Sequence, residues 1–170
     1  AMIDVLLEGL PHLKPLLEAT GSPAEYEQSL AGVPNLLVSI LARVTPDTRI
    51  LYAKGCENNG QDRTGFAEAV EAARKADIIL LALGDKSGLA SGSTTGEFND
   101  RTSLNLPGVQ EELARAVLEA APGKPVVVVL INGQPLSIPQ VVEKANGVLE
   151  GWYAGQEGGT ALADVLFGDA

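Results

Sequence analysis

The sequence predicts an α/β domain, a three-layer α/β/α sandwich around a mostly parallel, doubly wound sheet. Three observations support this fold class. Short apolar runs such as Val126–Ile131 lack the alternation typical of a sheet with one wet face. Amphipathic helical segments separate these runs, so strands and helices alternate along the chain. Finally, 170 residues of which 45% are hydrophobic suffice for one substantial core but not for two domains.

The order of elements follows from the positions of the apolar and amphipathic segments. Strands are predicted at Thr48–Ala53, Ile78–Leu83, Pro125–Ile131 and Gly147–Trp152. Helices are predicted at Gly65–Lys75, Val109–Ala121, Ile138–Lys144 and Gly158–Phe167, and also at Met2–Leu10 and Val33–Val44, where prolines keep them short. Because no buried strand opens the sequence, we expect the chain (residues 1–170) to be a domain that is truncated at both ends.

Composition argues against several functional classes. A formal net charge of -10 opposes binding to nucleic acid or to anionic membrane surfaces, which need clustered basic residues. The sequence has no apolar run long enough to span a bilayer and no phosphate-binding P-loop. One histidine, His12, and one cysteine, Cys56, leave only carboxylates as metal ligands. We therefore expect no metal, cofactor, nucleic acid or membrane partner, and we expect Cys56 to pack in the core.

A long loop rich in glycine and serine, residues 84–108, contains the most informative candidate residue, Glu97. Loops of this length in compact domains usually bind a ligand or cover a site. The loop follows a predicted parallel strand, and such sheets have their sites at the carboxyl ends of the strands. A bound sugar would desolvate Glu97 and raise its pKa, as the general acid of glycoside hydrolysis requires. From the residues alone, however, the charge pattern favours a solvated loop glutamate as the alternative interpretation.

Two further residues are candidates for substrate binding at the same edge. Asp85 follows the strand Ile78–Leu83, although an ion pair with Lys86 is the alternative. Trp152 ends the last predicted strand and offers either a platform for a sugar or a cap on the core.

Four charged residues near Glu97 are expected to be structural. Asp100 and Arg101 are expected to pair with each other or to brace the loop. Glu111 and Glu112 lie in the first turn of a predicted helix, where negative charge offsets the helix dipole.

Three segments of the chain, taken in order, are similar to motifs of a known protein family. They read GEFNDRTSLNLPGVQEEL from Gly96, VVVVLINGQPLSIP from Val126 and GWYAGQEGGTALADVLFGD from Gly151. Together they resemble the carboxy-terminal α/β sandwich domain of glycoside hydrolase family 3, in particular that of bacterial β-glucosidases and β-xylosidases. The resemblance implies that Glu97 is the general acid/base of a retaining mechanism. It also implies that the nucleophile, an aspartate, lies in a preceding TIM-barrel domain, which this chain does not contain.

The resemblance thus implies a split active site. The expected substrate is a β-glycoside with a terminal β-D-glucosyl or β-D-xylosyl residue, and the expected partner is the amino-terminal TIM barrel of the same enzyme. Alone, the chain is not expected to hydrolyse glycosides, because one of the two carboxylates is missing. The alternative is a noncatalytic carbohydrate-binding or assembly module in which Glu97 only hydrogen-bonds a sugar. Sugar preference, oligomeric state and localisation stay open.

Overall fold

The computed structural model describes residues 32–89 and 92–170 of the chain. These residues form an α/β fold with a three-stranded parallel sheet and flanking helices. The predicted helix Met2–Leu10 and His12 lie outside the described residues. In chain order, the elements are α1 (Gly32–Leu41), α2 (Phe66–Lys75), β1 (Ile79–Gly84), α3 (Gln110–Ala120), β2 (Val126–Ile131), α4 (Pro139–Val142), β3 (Gly147–Glu150) and α5 (Gly158–Phe167).

The sheet has the order β1-β2-β3, and both neighbouring pairs are parallel. Its register places Gly84, the last residue of β1, opposite Ile131, the last residue of β2. The first two strands therefore end together, and the chain segments that follow them leave the sheet side by side. This carboxyl edge of the sheet is where parallel α/β folds hold their sites.

Helices cover both faces of the sheet, as the continuous apolar runs predict. Successive side chains of a strand point to opposite faces. On one face, Ile79 and Leu81 of β1 pack in a cluster with α2, α3 and α4. On the other face, Val129 and Ile131 of β2 pack with Leu36 of α1 and with α5. Burial on both sides explains why VVVVLI shows no polar alternation.

The prediction of a strand at Thr48–Ala53 is wrong. Within the described residues this segment joins no strand of the sheet, and only Ala53 has the geometry of a single bridge. Ile50 and Ala53 are nevertheless buried, with 8% and 1% of their surface exposed. The segment is apolar because it packs against the core, and a short apolar run does not reveal whether its backbone is paired.

The other described elements are confirmed, with shifts at their ends. The strand predicted at Gly147–Trp152 ends at Glu150, because Trp152 has a left-handed φ of 49° that an extended strand does not allow. The helix predicted at Ile138–Lys144 is only one turn long, and Lys144 continues it with a tighter hydrogen bond to the Val141 carbonyl. Among the described residues, no helix is long and apolar enough to cross a membrane.

Candidate functional site

The loop that carries Glu97 begins where the backbones of β1 and β2 leave no room for a side chain at Gly84. A Cβ atom at Gly84 would lie 1.8 Å from the carbonyl oxygen of Ile131, so only glycine fits at this position. The next residue, Asp85, donates its backbone N–H to the same Ile131 oxygen over 3.1 Å. The start of the loop is therefore held against the neighbouring strand.

Backbone and threonine hydrogen bonds fold the loop back on itself. The N–H of Lys86 donates to Thr94 Oγ1 (2.9 Å), and the N–H of Thr94 donates to the Lys86 carbonyl (2.8 Å). Further along, the N–H of Gly88 donates to the Thr95 carbonyl (3.2 Å), beside a bridge between Ser87 and Thr95. The residues just before Glu97, Thr94 and Thr95, thus pair with Lys86 and Gly88, which follow the end of β1.

Glu97 lies in a turn that Asn99 holds in place. The side-chain amide of Asn99 donates to the carbonyls of Gly88 (2.8 Å) and Glu97 (3.1 Å). Its backbone N–H donates to the carbonyl of Gly96, whose φ of 105° favours glycine. The Glu97 side chain is exposed, and no hydrogen bond or ion pair joins its carboxylate to another described residue. The backbone is fixed while the carboxylate stays accessible.

Phe98, next to Glu97, presents an exposed aromatic ring. It is 89% exposed and adopts a left-handed φ of 64°, a conformation that costs a bulky residue about 1 kcal/mol or more. Phe98 also lines a cleft of about 420 Å³, together with Asn59, Ser93, Asp100 and Arg101 among others. The sequence does not predict this exposure of Phe98, because nothing in it shows which way a loop side chain points.

Asp85 is a buried carboxylate that connects the segments following all three strands. Only 1% of its surface is exposed. Its Oδ1 accepts a hydrogen bond from the N–H of Gly133 (2.9 Å), after β2, and another from the hydroxyl of Tyr153, after β3. Its Oδ2 is buried and has no hydrogen-bond partner among the described residues. The ion pair with Lys86 that the sequence offered as an alternative is therefore not formed there. Contact of Asp85 with a substrate stays a prediction.

Tyr153 is held in its protonated form. Burial of the phenol is the largest cause that raises its pKa, followed by the hydrogen bond to Asp85 and the negative charge of that residue. Its ring packs on Gly133, where an added Cβ would lie 2.5 Å from the ring. The raised pKa keeps the hydroxyl a donor to Asp85 to higher pH than that of an ordinary tyrosine.

Trp152 lies at the same edge, between β3 and Tyr153. It is 47% exposed, and its backbone N–H donates to Glu150 Oε1 over 3.3 Å. A half-exposed indole leaves surface for a ligand. Its role in sugar binding stays a prediction.

Three of the four charged residues expected to be structural, Arg101, Glu111 and Glu112, form contacts of that kind. The guanidinium of Arg101 donates to the carbonyls of Ser103 (3.1 Å) and Asn105, which braces the loop. In the described residues it forms no ion pair with Asp100. The carboxylate of Glu111 accepts the N–H of Leu106 (3.0 Å).

Glu112 and Cys56 also have structural surroundings. Both oxygens of Glu112 accept hydrogen bonds from Arg63, at 2.7 and 2.8 Å. This pairing lowers the pKa of Glu112. Cys56 is buried in the core cluster, as predicted. The part of the chain that the structure describes has no group of three or more His, Cys, Asp or Glu side chains that would hold a metal ion.

Sequence reasoning missed Gln110. This residue is 2% exposed, and its side-chain amide hydrogen-bonds to Gly84, Asn58 and Pro107. A signal was present in the sequence, because Gln110 opens the buried stripe that Leu113, Ala114 and Val117 continue on α3. A polar residue on the apolar stripe of a helix needs buried partners.

Comparison with known proteins gives one family. Residues 13–170 match the family model described as the glycosyl hydrolase family 3 C-terminal domain. A β-xylosidase of Formosa agariphila is 43% identical over 143 residues, which are 82% of this chain and 19% of that protein. A periplasmic β-glucosidase of Salmonella typhimurium is 38% identical over 165 residues, covering 83% of this chain and 21% of that protein. The chain thus spans about a fifth of the length of these relatives.

Solved structures agree with the sequence relatives. A GH3 exo-β-xylosidase in complex with a xylobiose aziridine activity-based probe matches with a TM-score of 0.68 and 30% identity, over 79% of this chain and 16% of that one. A GH3 β-glucosidase of Bifidobacterium adolescentis matches with a TM-score of 0.66 and 38% identity, over 79% of this chain and 19% of that one.

Proposed function

The chain belongs to the glycosyl hydrolase family 3 C-terminal domain family, and from this premise we propose that it supplies the general acid/base of a retaining β-glycosidase. The proposed catalytic residue is Glu97. The proposed substrates carry a terminal β-D-glucosyl or β-D-xylosyl residue, in line with the relatives. We also propose that the three described strands are part of a larger, doubly wound three-layer sandwich that lies beside a TIM-barrel domain.

The accessibility of the Glu97 carboxylate carries this proposal. A general acid must reach the glycosidic oxygen, and it must stand in a fixed position to protonate that oxygen as the bond breaks. The Glu97 backbone is held by Asn99, whereas its carboxylate is exposed and joined to no other described residue. In the second half of the reaction, the same carboxylate would take a proton from the attacking water.

A retaining mechanism needs a second carboxylate as nucleophile, about 5 Å from the first. Asp85 is poorly suited to that role, because it is buried and its Oδ1 accepts two hydrogen bonds from the protein. The resemblance to family 3 enzymes assigns the nucleophile to the barrel domain, so the chain alone is proposed to be inactive. Binding of substrate at the join between the two domains would exclude water from the Glu97 carboxylate and place it against the glycosidic oxygen.

Two residues are proposed to hold the sugar at this edge of the sheet. The half-exposed indole of Trp152 offers an apolar face to a sugar ring. Asp85 is the second, because its Oδ2 has no hydrogen-bond partner among the described residues and so offers an acceptor for a sugar hydroxyl.

The test replaces Glu97 by alanine in the full-length enzyme that carries this chain. Glycosylation by substrates with poor leaving groups needs the acid, so their kcat/KM is expected to fall by about 10²- to 10⁴-fold. Activated aryl glycosides, whose leaving groups need no proton, should keep their rate of glycosylation. Glu68→Ala, at an exposed position on α2, serves as the control and should change neither rate. An equal loss on both classes of substrate would favour a binding role for Glu97 over an acid/base role.

A further inference from the structure

Gln110 is a polar residue buried at the base of the loop that carries Glu97. It is the first residue of α3, and 2% of its surface is exposed. Its Oε1 accepts the N–H of Gly84 (3.0 Å). Its Nε2 donates to the carbonyls of Gly84 (2.7 Å), Asn58 (2.7 Å) and Pro107 (3.2 Å). A single side chain thus satisfies backbone groups from three separate segments.

These partners include both ends of the loop. Gly84 is the last residue of β1, and Pro107 lies three residues before Gln110 at the far end. Because Gln110 pairs with both the N–H and the carbonyl of Gly84, it fixes this residue as a neighbouring strand would. The side chain of Asn58 adds a further hydrogen bond to the Gly84 carbonyl (2.9 Å). Side-chain amides thus hold the base of the loop together with the backbone hydrogen bond from Asp85 to Ile131.

A continuous set of hydrogen bonds leads from this base to Glu97. Two residues beyond Gly84, Lys86 is bonded to Thr94 in both directions, and Gly88 is bonded to Thr95. Asn99 then joins the carbonyls of Gly88 and Glu97. A displacement of the loop base would therefore carry the Glu97 turn with it.

We infer that Gln110 is a positioning residue that sets the location of the Glu97 carboxylate by fixing both ends of its loop. The inference rests on the proposed function, since it concerns the geometry of that reaction. Catalytic groups must be held to within about 0.5 Å, and a shift of about 1 Å costs roughly 10²-fold in rate. Gln110 does not touch the substrate, so its effect should appear in the step that needs a correctly placed proton.

The test compares Gln110→Met with a matched control in the full-length enzyme. Methionine keeps the length of the side chain but removes the amide. The control is Lys124→Met, because the Lys124 ammonium also donates to three backbone carbonyls, those of Ala73, Arg74 and Ala76. These carbonyls end α2 just before β1, at the opposite edge of the sheet from the loop.

Gln110→Met is expected to lower kcat for poor leaving groups by about 10- to 100-fold, with little change in KM. Glycosylation by activated aryl glycosides should be spared, and hydrogen exchange should accelerate across residues 85–108. Lys124→Met should lower the melting temperature. It should leave the ratio of the rate on poor leaving groups to the rate on activated aryl glycosides as in the parent. The inference is overturned if both variants change this ratio alike, or if Gln110→Met leaves it unchanged.

Two further variants keep the test decisive. If Gln110→Met does not fold, Asn58→Ala removes one hydrogen bond from the same Gly84 carbonyl and should produce a smaller shift of the same kind. Glu97→Ala separates the two proposals. If Glu97→Ala discriminates between leaving groups and neither loop-base variant does, then the inference on Gln110 fails and the proposed function stands. If Glu97→Ala does not discriminate, the proposed function fails whatever Gln110 does.

Discussion

The hydroxyl of Tyr153 donates a hydrogen bond to Oδ1 of Asp85, and this contact joins the segment after β3 to the end of β1. The two residues are 68 positions apart in the chain. Asp85 also accepts the N–H of Gly133 after β2, so one carboxylate ties together the segments that follow all three strands. Trp152 and the start of the Glu97 loop both lie at this carboxyl edge of the sheet, where the buried carboxylate of Asp85 holds the three segments together.

Tyr153→Phe should destabilise the chain by about 1–2 kcal/mol, because Asp85 loses a donor that burial prevents water from replacing fully. Urea unfolding measures the change. The same substitution in an Asp85→Ala background should cost clearly less, since the partner is already absent. Additive effects in this double-mutant cycle would show that the hydrogen bond contributes nothing to stability.

Stability should decrease at alkaline pH, in part through Tyr153. Its pKa in the folded chain is raised above the ordinary value of 10.0, mainly by burial. Below about pH 10 the phenol is protonated in both folded and unfolded chains, so its contribution is complete. As the pH rises above this value, the unfolded chain ionises first and the free energy of unfolding decreases.

Tyr153→Phe provides the comparison for this pH dependence. The phenylalanine variant has no phenol at position 153, so its stability should fall less steeply than that of the parent above pH 10. Unfolding measured from pH 8 to pH 11.5 on both proteins would reveal the difference. Parallel curves would mean that Tyr153 has the same pKa in the folded and unfolded chains.

Gly84→Ala should be among the most destabilising single changes, at about 2 kcal/mol or more. The new methyl group would overlap the Ile131 carbonyl at 1.8 Å, and neither strand can move without breaking the sheet. Gly147→Ala in β3 is the matched control, because its nearest atoms are 3.9 Å away on Val127. Thermal unfolding should separate the two variants widely, and similar melting temperatures would argue against the close contact of β1 with β2.

Cys56 should react slowly with thiol reagents in the folded chain. Burial is the main cause that raises the pKa of its thiol, and the nearby carboxylate of Glu57 acts in the same direction. Iodoacetamide at pH 8 should therefore modify the folded chain much more slowly than the urea-unfolded chain. Equal rates in the two states would contradict the core position of Cys56.

The fold was largely predictable from the sequence where burial dictates the residue types. The run Val126–Ile131 is apolar throughout because helices cover both of its faces; it forms a strand as predicted, and this strand is the middle one of the three described. The run Thr48–Ala53 also contains several apolar residues but forms no strand, because a short apolar segment can be buried without being paired to another strand.

The candidate site was predictable in outline only. The position of Glu97 on a loop at the carboxyl edge follows from the strand order. The contact between Asp85 and Tyr153 does not, because it depends on how three loops meet in space. Gln110 occupies a helical position where glutamine is common, and only its place on the buried stripe with Leu113 and Val117 marks it as unusual.

The most direct test of the account is to react Glu97→Ala, in the full-length enzyme, with an activated aryl β-glycoside in the presence of azide. Without the general base, water attacks the covalent glycosyl-enzyme slowly, whereas azide needs no proton removed. If Glu97 is the acid/base, we expect faster turnover with azide and a glycosyl azide that retains the β configuration. An α-glycosyl azide would identify Glu97 as the nucleophile instead, and the absence of any azide product would contradict an acid/base role.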